Sequence, residues 1–314
     1  MHFIVTGGAG FIGSHLVEQL LLEDHSVTVV DNLTTGKHQN LPDHPNINFI
    51  QKDIIACQPE DFIQPIDGIA HLAATPSVGE SWSNPLEAHH NNLSAMIAVL
   101  LLCEALKIPK LVFASSAAVY GNTSQLPVLE EHPTLPISPY GLQKLVSEQY
   151  ANLFAPQLRL AFVALRMFNV FGPRQRPDSP YSGVISIFTN AMQQGLPITI
   201  YGDGTQTRDF VYVKDVAVAF TKALTTPLPA GSCLTCNVGT GKGTSLLQVV
   251  NIFKTYFPQW NSKINFTAAR LGDIQHSYAD ISKASSSLDF APQWLVASGI
   301  GRLVESLTNC MSAL

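Results

Sequence analysis

The first fifteen residues, MHFIVTGGAGFIGSH, restrict this chain to a narrow set of folds. Phe3, Ile4 and Val5 form an apolar run of the length of a buried strand. From Gly10 to Glu23 the apolar positions Phe11, Ile12, Leu16, Val17, Leu20 and Leu21 recur at helical spacing. Gly7, Gly10 and Gly13 therefore occupy a strand-to-helix turn. The first N–H groups of a helix have no intrahelical partners, and the helix dipole adds partial positive charge, so such a turn suits a phosphate. Side chains at the three glycines would block close approach of the backbone or of helix to sheet.

The next apolar run, Val27 to Val30, ends in Asp31-Asn32, and Asp31 lies 18 residues beyond Gly13. An acid there can accept hydrogen bonds from the adenosine ribose hydroxyls of a dinucleotide and repels a 2′-phosphate, which favours NAD over NADP. Lys37 lies close enough in sequence to leave the phosphorylated form open. Runs at Ile47 to Gln51, Gly68 to Ala73 and Leu111 to Ser115 read as further strands, with helical patterns in the longer intervals. Leu160 to Arg166 and Phe210 to Val213 are two more strand candidates. This alternation predicts an α/β fold of the Rossmann type, a doubly wound parallel sheet with helices on both faces. The Pro-rich stretch Gly172 to Gly183 is where the chain is expected to leave it. The resulting division is a dinucleotide-binding domain over 1–167, to which part of 205–240 returns, and a smaller mixed α/β substrate-binding region over 168–314.

Composition narrows the partners. A chain of 314 residues that is 46% hydrophobic and 13% charged suits a sheet covered on both faces. Its net charge is −5 and its basic residues are scattered, so no stripe for nucleic acid is expected. The apolar start is too short for a signal peptide or a membrane span, and the expected location is cytoplasmic. Five cysteines, an odd number, fit a reducing compartment. Cys233 and Cys236 have no second pair, and His89-His90 lacks a partner at helical metal spacing, so no metal site is expected. Leu93 to Cys103 (LSAMIAVLLLC) has one polar residue in eleven. A helix so apolar must be covered on two sides, by its own sheet and either by a second subunit or by more of the same chain.

Chemistry concentrates in FASSAAVYG, Phe113 to Gly121, and SPYGLQK, Ser138 to Lys144. If Pro139 opens a helix, Tyr140 and Lys144 share one face, and the ammonium is expected to draw the phenol pKa down from about 10. Ser116 follows a strand, at the carboxyl edge where doubly wound folds bind ligands, 24 residues before Tyr140. Its hydroxyl can hold the substrate oxygen that Tyr140 deprotonates. Hydride transfer coupled to proton transfer at an alcohol carbon is the chemistry on which these features converge.

TGGAGFIG, DNLTTG, HLAA, the NN of HHNNL, SSAAVYG, YGLQK, RMFNVFGPRQ, YGDGTQTRDFVYV and RLGDIQHSYAD occur in order from Thr6 to Asp280. In this the sequence resembles the extended short-chain dehydrogenases/reductases, specifically the nucleotide-sugar 4-epimerases. The resemblance implies a bound NAD contacted by Gly7, Gly10, Phe11, Ile12, Gly13, Asp31, Asn32, Asp53, Ile54, Leu72, Ala73, Ala74, Asn91, Ser115, Tyr140, Lys144 and Phe168. It implies a UDP-sugar substrate, with Asn169, Arg208, Arg270 and Asp273 on the nucleotide diphosphate and its ribose, and with Thr75, Ser116, Tyr140, Val184, Tyr201 and Ser277 around the remainder. A homodimer is expected from the apolar Leu93 to Cys103 face, formed through the helices at Asn91 to Lys107 and Ser138 to Phe154. Relatives that dehydrate or decarboxylate their sugars place acids between the serine and the V-Y-G, where this chain has Ala117 and Ala118, so epimerisation is favoured. Acetamido sugars are expected alongside UDP-glucose and UDP-galactose because Ser277 stands where a tyrosine would restrict the pocket. A UDP-glucuronate 4-epimerase, a 4,6-dehydratase and an NAD-binding sensor without catalysis are the alternatives.

Overall fold

The computed structural model describes residues 1–63, 65–176, 183–269 and 274–311, the last four without side chains. Among the described residues fourteen strands run in chain order: β1 (His2–Thr6), β2 (Ser26–Val30), β3 (Ile47–Ile50), β4 (Gly68–His71), β5 (Lys110–Ser116), β6 (Ala161–Met167), β7 (Asn169–Phe171), β8 (Ile198–Tyr201), β9 (Thr207–Arg208), β10 (Phe210–Tyr212), β11 (Cys233–Val238), β12 (Thr244–Ser245), β13 (Ile264–Thr267) and β14 (His276–Ser277). The α-helices are α1 (Phe11–Leu22), α2 (Val78–Ser83), α3 (Pro85–His89), α4 (Ala95–Ala105), α5 (Pro139–Leu158), α6 (Val184–Gln193), α7 (Val213–Thr225), α8 (Leu246–Tyr256), α9 (Ser282–Leu288) and α10 (Val296–Met311).

Seven strands form one parallel sheet in the order β11-β6-β5-β4-β1-β2-β3. The order reverses between β1 and β4, and doubly wound sheets open a ligand crevice at the carboxyl ends of the strands flanking such a reversal. Alternation along each strand sends side chains to two cores. Phe3 and Val5 of β1, Val112 of β5 and Val163 of β6 pack with Leu16 and Leu20 of α1 and Phe220 and Leu224 of α7. Ile4, Leu111, Phe113 and Phe162 face the other way, onto Met96, Val99 and Leu100 of α4 and Ala151 and Ala155 of α5. Each large apolar side chain buried in this way contributes roughly 1.5–3 kcal/mol.

The strand expected over Phe210 to Val213 forms, but outside the large sheet: β10 pairs with β7 alone, and Val213 already opens α7. A third core, with Phe171, Phe188, Tyr212, Phe253 and Ile300, gathers α6, α8 and α10 around β7, β8 and β10. The very apolar stretch Leu93 to Cys103 starts as a π-helical turn, His90–Ser94, and continues as α4. Met96, Val99 and Leu100 are buried while Leu101 is half exposed, so the sheet covers one side of this helix.

Candidate active site

The glycine turn is as tight as its sequence requires. Gly7 has φ +68°, and a Cβ on it would meet the Ala73 backbone nitrogen at 2.8 Å. A Cβ on Gly13 would lie 2.2 Å from the Gly7 carbonyl oxygen. The ends of β1 and β4 are bound together here, since Thr6 Oγ1 accepts from the N–H groups of Leu72 and Ala73, both at 3.2 Å. Gly10 caps α1 without a side chain, leaving the first turn, Phe11 to Gly13, open at its N-terminal end. At the end of β2 the Asp31 carboxylate accepts from Ala9 N at 3.0 Å and Leu33 N at 2.8 Å. Burial raises its pKa, and those two N–H groups oppose the rise. Asn32 Nδ2 donates to Asp53 at 3.1 Å, and Asp53 caps the turn that buries Ile54. These residues fit a dinucleotide: a turn without side chains for the diphosphate, an uncapped helix N-terminus, and a carboxylate at the next strand end for the ribose.

Ser116 ends β5, and its Oγ accepts from Ala118 N at 3.2 Å. Pro139 opens α5, Ser138 caps it by accepting from Gly141 N at 3.1 Å, and the Tyr140 N–H donates to Ser81 Oγ at 3.0 Å. With the first turn so satisfied, Tyr140 and Lys144 follow one another on the face directed at β5. Lys144 Nζ lies 4.7 Å from the centre of the Phe113 ring and 5.8 Å from that of Tyr140. Thr75 joins the same wall: its Oγ1 accepts from Asn91 Nδ2 at 3.0 Å and its N–H donates to Asn92 Oδ1 at 2.8 Å.

The protonation balance differs from the sequence expectation. Burial pushes the Tyr140 phenol up, and the group that opposes this is Ser116 through a hydrogen bond. Lys144 is not among the causes, because its own burial pulls the ammonium down to about 7, against the attraction of Glu148. The serine therefore biases the phenol toward ionisation, and the lysine contributes only to the extent that it keeps its proton.

A cavity of about 300 Å³ opens beside these groups, lined by Val78, Ala118, Gly121, Ile137, Ser138, Arg208 and Ile274. Arg208 belongs to β9, and β9 lies between β12 and β14 with Ser277 in register with Arg208. Asn169 begins β7 and its N–H donates to the carbonyl of Asp209 at 2.9 Å, so Asn169 is held beside the Arg208 segment. Phe168 is buried against Val119 and Tyr120. Val184 starts α6 and Tyr201 ends β8 about two-fifths exposed; neither of these, nor Thr75, Asn169 or Ser277, is among the residues that line the cavity. Arg270 and Asp273 lie outside the described residues. Ser115 stands apart from the other candidates, since its hydroxyl donates into the protein, to Glu148. Glu148 lies outside the motifs, although its position four residues after Lys144 on α5 marks it. Among the described residues no group of three or more His, Cys, Asp or Glu could hold a metal ion. A second depression of about 340 Å³, between His38 and Phe49, lies along β3 away from these side chains.

A family model described as the NAD dependent epimerase/dehydratase family matches residues 3–239. The chain belongs to this family. Its match takes in the glycine turn, Ser116, Tyr140, Lys144 and Arg208, and agrees with the resemblance carried by the motifs. The family's dependence on NAD agrees with the fit of the turn and of Asp31. The chain is 35% identical over 319 residues to the UDP-glucose 4-epimerase of Mycolicibacterium smegmatis, covering 98% of this chain and 99% of that one. Among solved structures it is similar to a UDP-N-acetylglucosamine 4-epimerase from Methanobrevibacter ruminantium M1 in complex with UDP-N-acetylmuramic acid. That match has a TM-score of 0.93 at 37% identity and covers 99% of both chains. A UDP-glucuronic acid 4-epimerase from Bacillus cereus, in complex with UDP-glucuronic acid and NAD, superposes with a TM-score of 0.89 at 32% identity, over 99% of this chain and 100% of that one. No described helix is long and apolar enough to cross a membrane.

Proposed function

We propose that this chain is an isomerase that inverts carbon 4 of UDP-hexoses, accepting UDP-N-acetylglucosamine and UDP-N-acetylgalactosamine together with UDP-glucose and UDP-galactose. The observation that carries the reading is the convergence of Ser116, Tyr140 and Lys144 at the carboxyl edge of the sheet, beside a glycine turn that fits NAD and a cavity whose wall at position 118 is a methyl group. Bound NAD supplies a reversible acceptor for the hydrogen on carbon 4. Ser116 holds the 4-hydroxyl, and Tyr140 takes its proton and later returns it. Lys144 in its charged form favours the tyrosinate. Arg208, Asn169, Arg270 and Asp273 hold the nucleotide diphosphate and ribose, so the sugar is free to present its other face after oxidation. Ala117 and Ala118 have no ionisable side chain, so they offer no acid to a departing hydroxyl and the reaction stays at carbon 4. A sensor without catalysis would have no need of Ser116, Tyr140 and Lys144 together.

The substrate choice rests on Ser277. It is half-buried next to Arg208 across two paired strands, and its small side chain leaves room for an acetamido group at carbon 2. Incubation of purified protein with UDP-N-acetylglucosamine, UDP-glucose and UDP-glucuronate in separate reactions, followed by chromatography, tests the reading. Conversion of the first two supports it, and conversion of UDP-glucuronate alone assigns the chain to the uronate epimerases. Ser277→Tyr should lose acetamido substrates by at least about tenfold while keeping UDP-galactose. Equal loss of both removes Ser277 from the pocket.

A further inference from the structure

Ser115, Arg166 and Asn237 stand in one row across β5, β6 and β11, in register with one another. Glu148 of α5 lies over this row, buried to 2% exposure. Arg166 grips its carboxylate from two nitrogens: Nε donates to the two oxygens at 3.0 and 3.3 Å, and Nη2 to Oε2 at 2.7 Å. Ser115 donates to Oε1. The remaining Arg166 nitrogen donates to Tyr120 Oη at 3.0 Å and to the Glu130 carbonyl at 3.2 Å, and Tyr120 Oη donates to Asn237 Oδ1 at 2.6 Å. The Glu130 carboxylate is taken up by the Asn237 N–H at 2.7 Å.

Burying an ion pair of this kind is costly, and an apolar pair of the same volume would often serve stability as well. Its placement points to another use. Tyr140, Lys144 and Glu148 are spaced four apart on one helix, so the carboxylate lies one turn beyond the ammonium on the same buried face. Ser115, which it holds, precedes Ser116 on β5. We propose that Glu148 is a positioning residue for the reaction at carbon 4: it clamps the end of β5 to α5 and supplies the buried negative charge that keeps Lys144 protonated beside Tyr140. This rests on the epimerase reading above. The charged and titratable groups around the carboxylate are Arg166 from β6, Tyr120 from the turn after β5, Glu130 from the loop before α5, and Lys144 from its own helix. Of these Lys144 alone is positioned to act on substrate. Its ammonium, which burial pulls down to about 7, is held up by Glu148.

The test compares the pH dependence of kcat for wild type, Glu148→Gln and the double variant Glu148→Gln/Arg166→Met, each first checked by thermal melting. The single variant leaves Arg166 as an unpaired buried charge and can fail to fold for that reason; the double variant removes that charge together with its partner and carries the same readout at Lys144. With Glu148 neutral, Lys144 loses its proton at lower pH. The alkaline fall of kcat should therefore move down by about one pH unit or more, with KM and bound NAD within about twofold of wild type. A folded double variant whose alkaline midpoint matches wild type overturns the proposal. So does one in which kcat and NAD content fall and KM rises at an unmoved midpoint, since that is a purely structural loss. Wild-type protein that converts no UDP-sugar refutes the epimerase reading instead, so the two failures are distinguishable.

Discussion

Tyr140 is the residue on which the chemistry depends, and its N–H is satisfied by Ser81, so the ring's attachment does not rely on its hydroxyl. Tyr140→Phe should therefore fold as wild type, retain NAD after dialysis, and lose at least about a hundredfold in kcat, the lower end of what general acid-base groups contribute. Normal turnover in this variant would remove Tyr140 as the base. His71 presents a second, separable effect. Its Nδ1 lies 2.7 Å from Thr6 Oγ1 and its buried Nε2 has no hydrogen-bond partner among the described residues. Burial first, then the charge of Lys144, push its pKa from 6.5 down to about 3. Between those values the folded protein binds fewer protons than the unfolded chain. Stability is therefore complete above pH 6.5 and falls as pH drops toward 3, by at most about 1.4 kcal/mol per unit from this one group. His71→Asn, whose amide oxygen can accept the Thr6 hydroxyl proton, should show a shallower loss of stability between pH 7 and 5 in urea titrations. An unchanged slope would assign the acid sensitivity to other groups.

At the level of elements, the strand-to-helix turn is the strictest demand the fold makes on its sequence. A Cβ at Gly13 meets backbone atoms of Gly7 and Gly8 that cannot move without opening the turn. At Gly183, the N-cap of α6, it would meet only the Gln175 amide at 3.4 Å. Gly13→Ala should lower the melting temperature and reduce the NAD retained through gel filtration at least about tenfold, while Gly183→Ala leaves both near wild type. Equal retention in the two variants would contradict the assigned turn. This turn was legible because it is local: glycines, a strand and a helical pattern lie within 23 residues. The same holds for the Tyr140 to Lys144 spacing and for the helix opening at Pro139. What the sequence left unread depends on distant partners. Phe210 to Tyr212 has the pattern of a core strand, and nothing local tells that it pairs with β7 instead of joining the large sheet. The strands of two residues, β9, β12 and β14, are too short for any periodicity, yet they place Ser277 beside Arg208. The direction of the phenol shift was not legible because i, i+4 spacing reports that two groups are near, and not that burial raises the phenol and pulls the ammonium down to about 7.

The whole molecule joins the edge of a seven-stranded parallel sheet to a region of small two- and three-stranded sheets, and the proposed reaction is placed between them: the nucleotide is anchored and the sugar turns. Its outer surface carries one further expectation. α4 and α5 pack side by side and expose Leu101, Leu142, Tyr150 and Leu153, with Leu153 at 73%. We expect a homodimer formed on these helices, which sedimentation at micromolar concentration should detect and Leu101→Glu together with Leu153→Glu should dissociate. A wild-type monomer under those conditions would contradict it. The central claim is that carbon 4 is oxidised and reduced again within one turnover, and a label on that carbon tests it most directly. UDP-galactose carrying deuterium at carbon 4 is incubated with the protein as purified, without added NAD, and the UDP-glucose formed is analysed by mass spectrometry and NMR. The account predicts that the product keeps its deuterium at carbon 4 and that no free NADH appears. Deuterium lost to solvent, or found in released NADH, would contradict it.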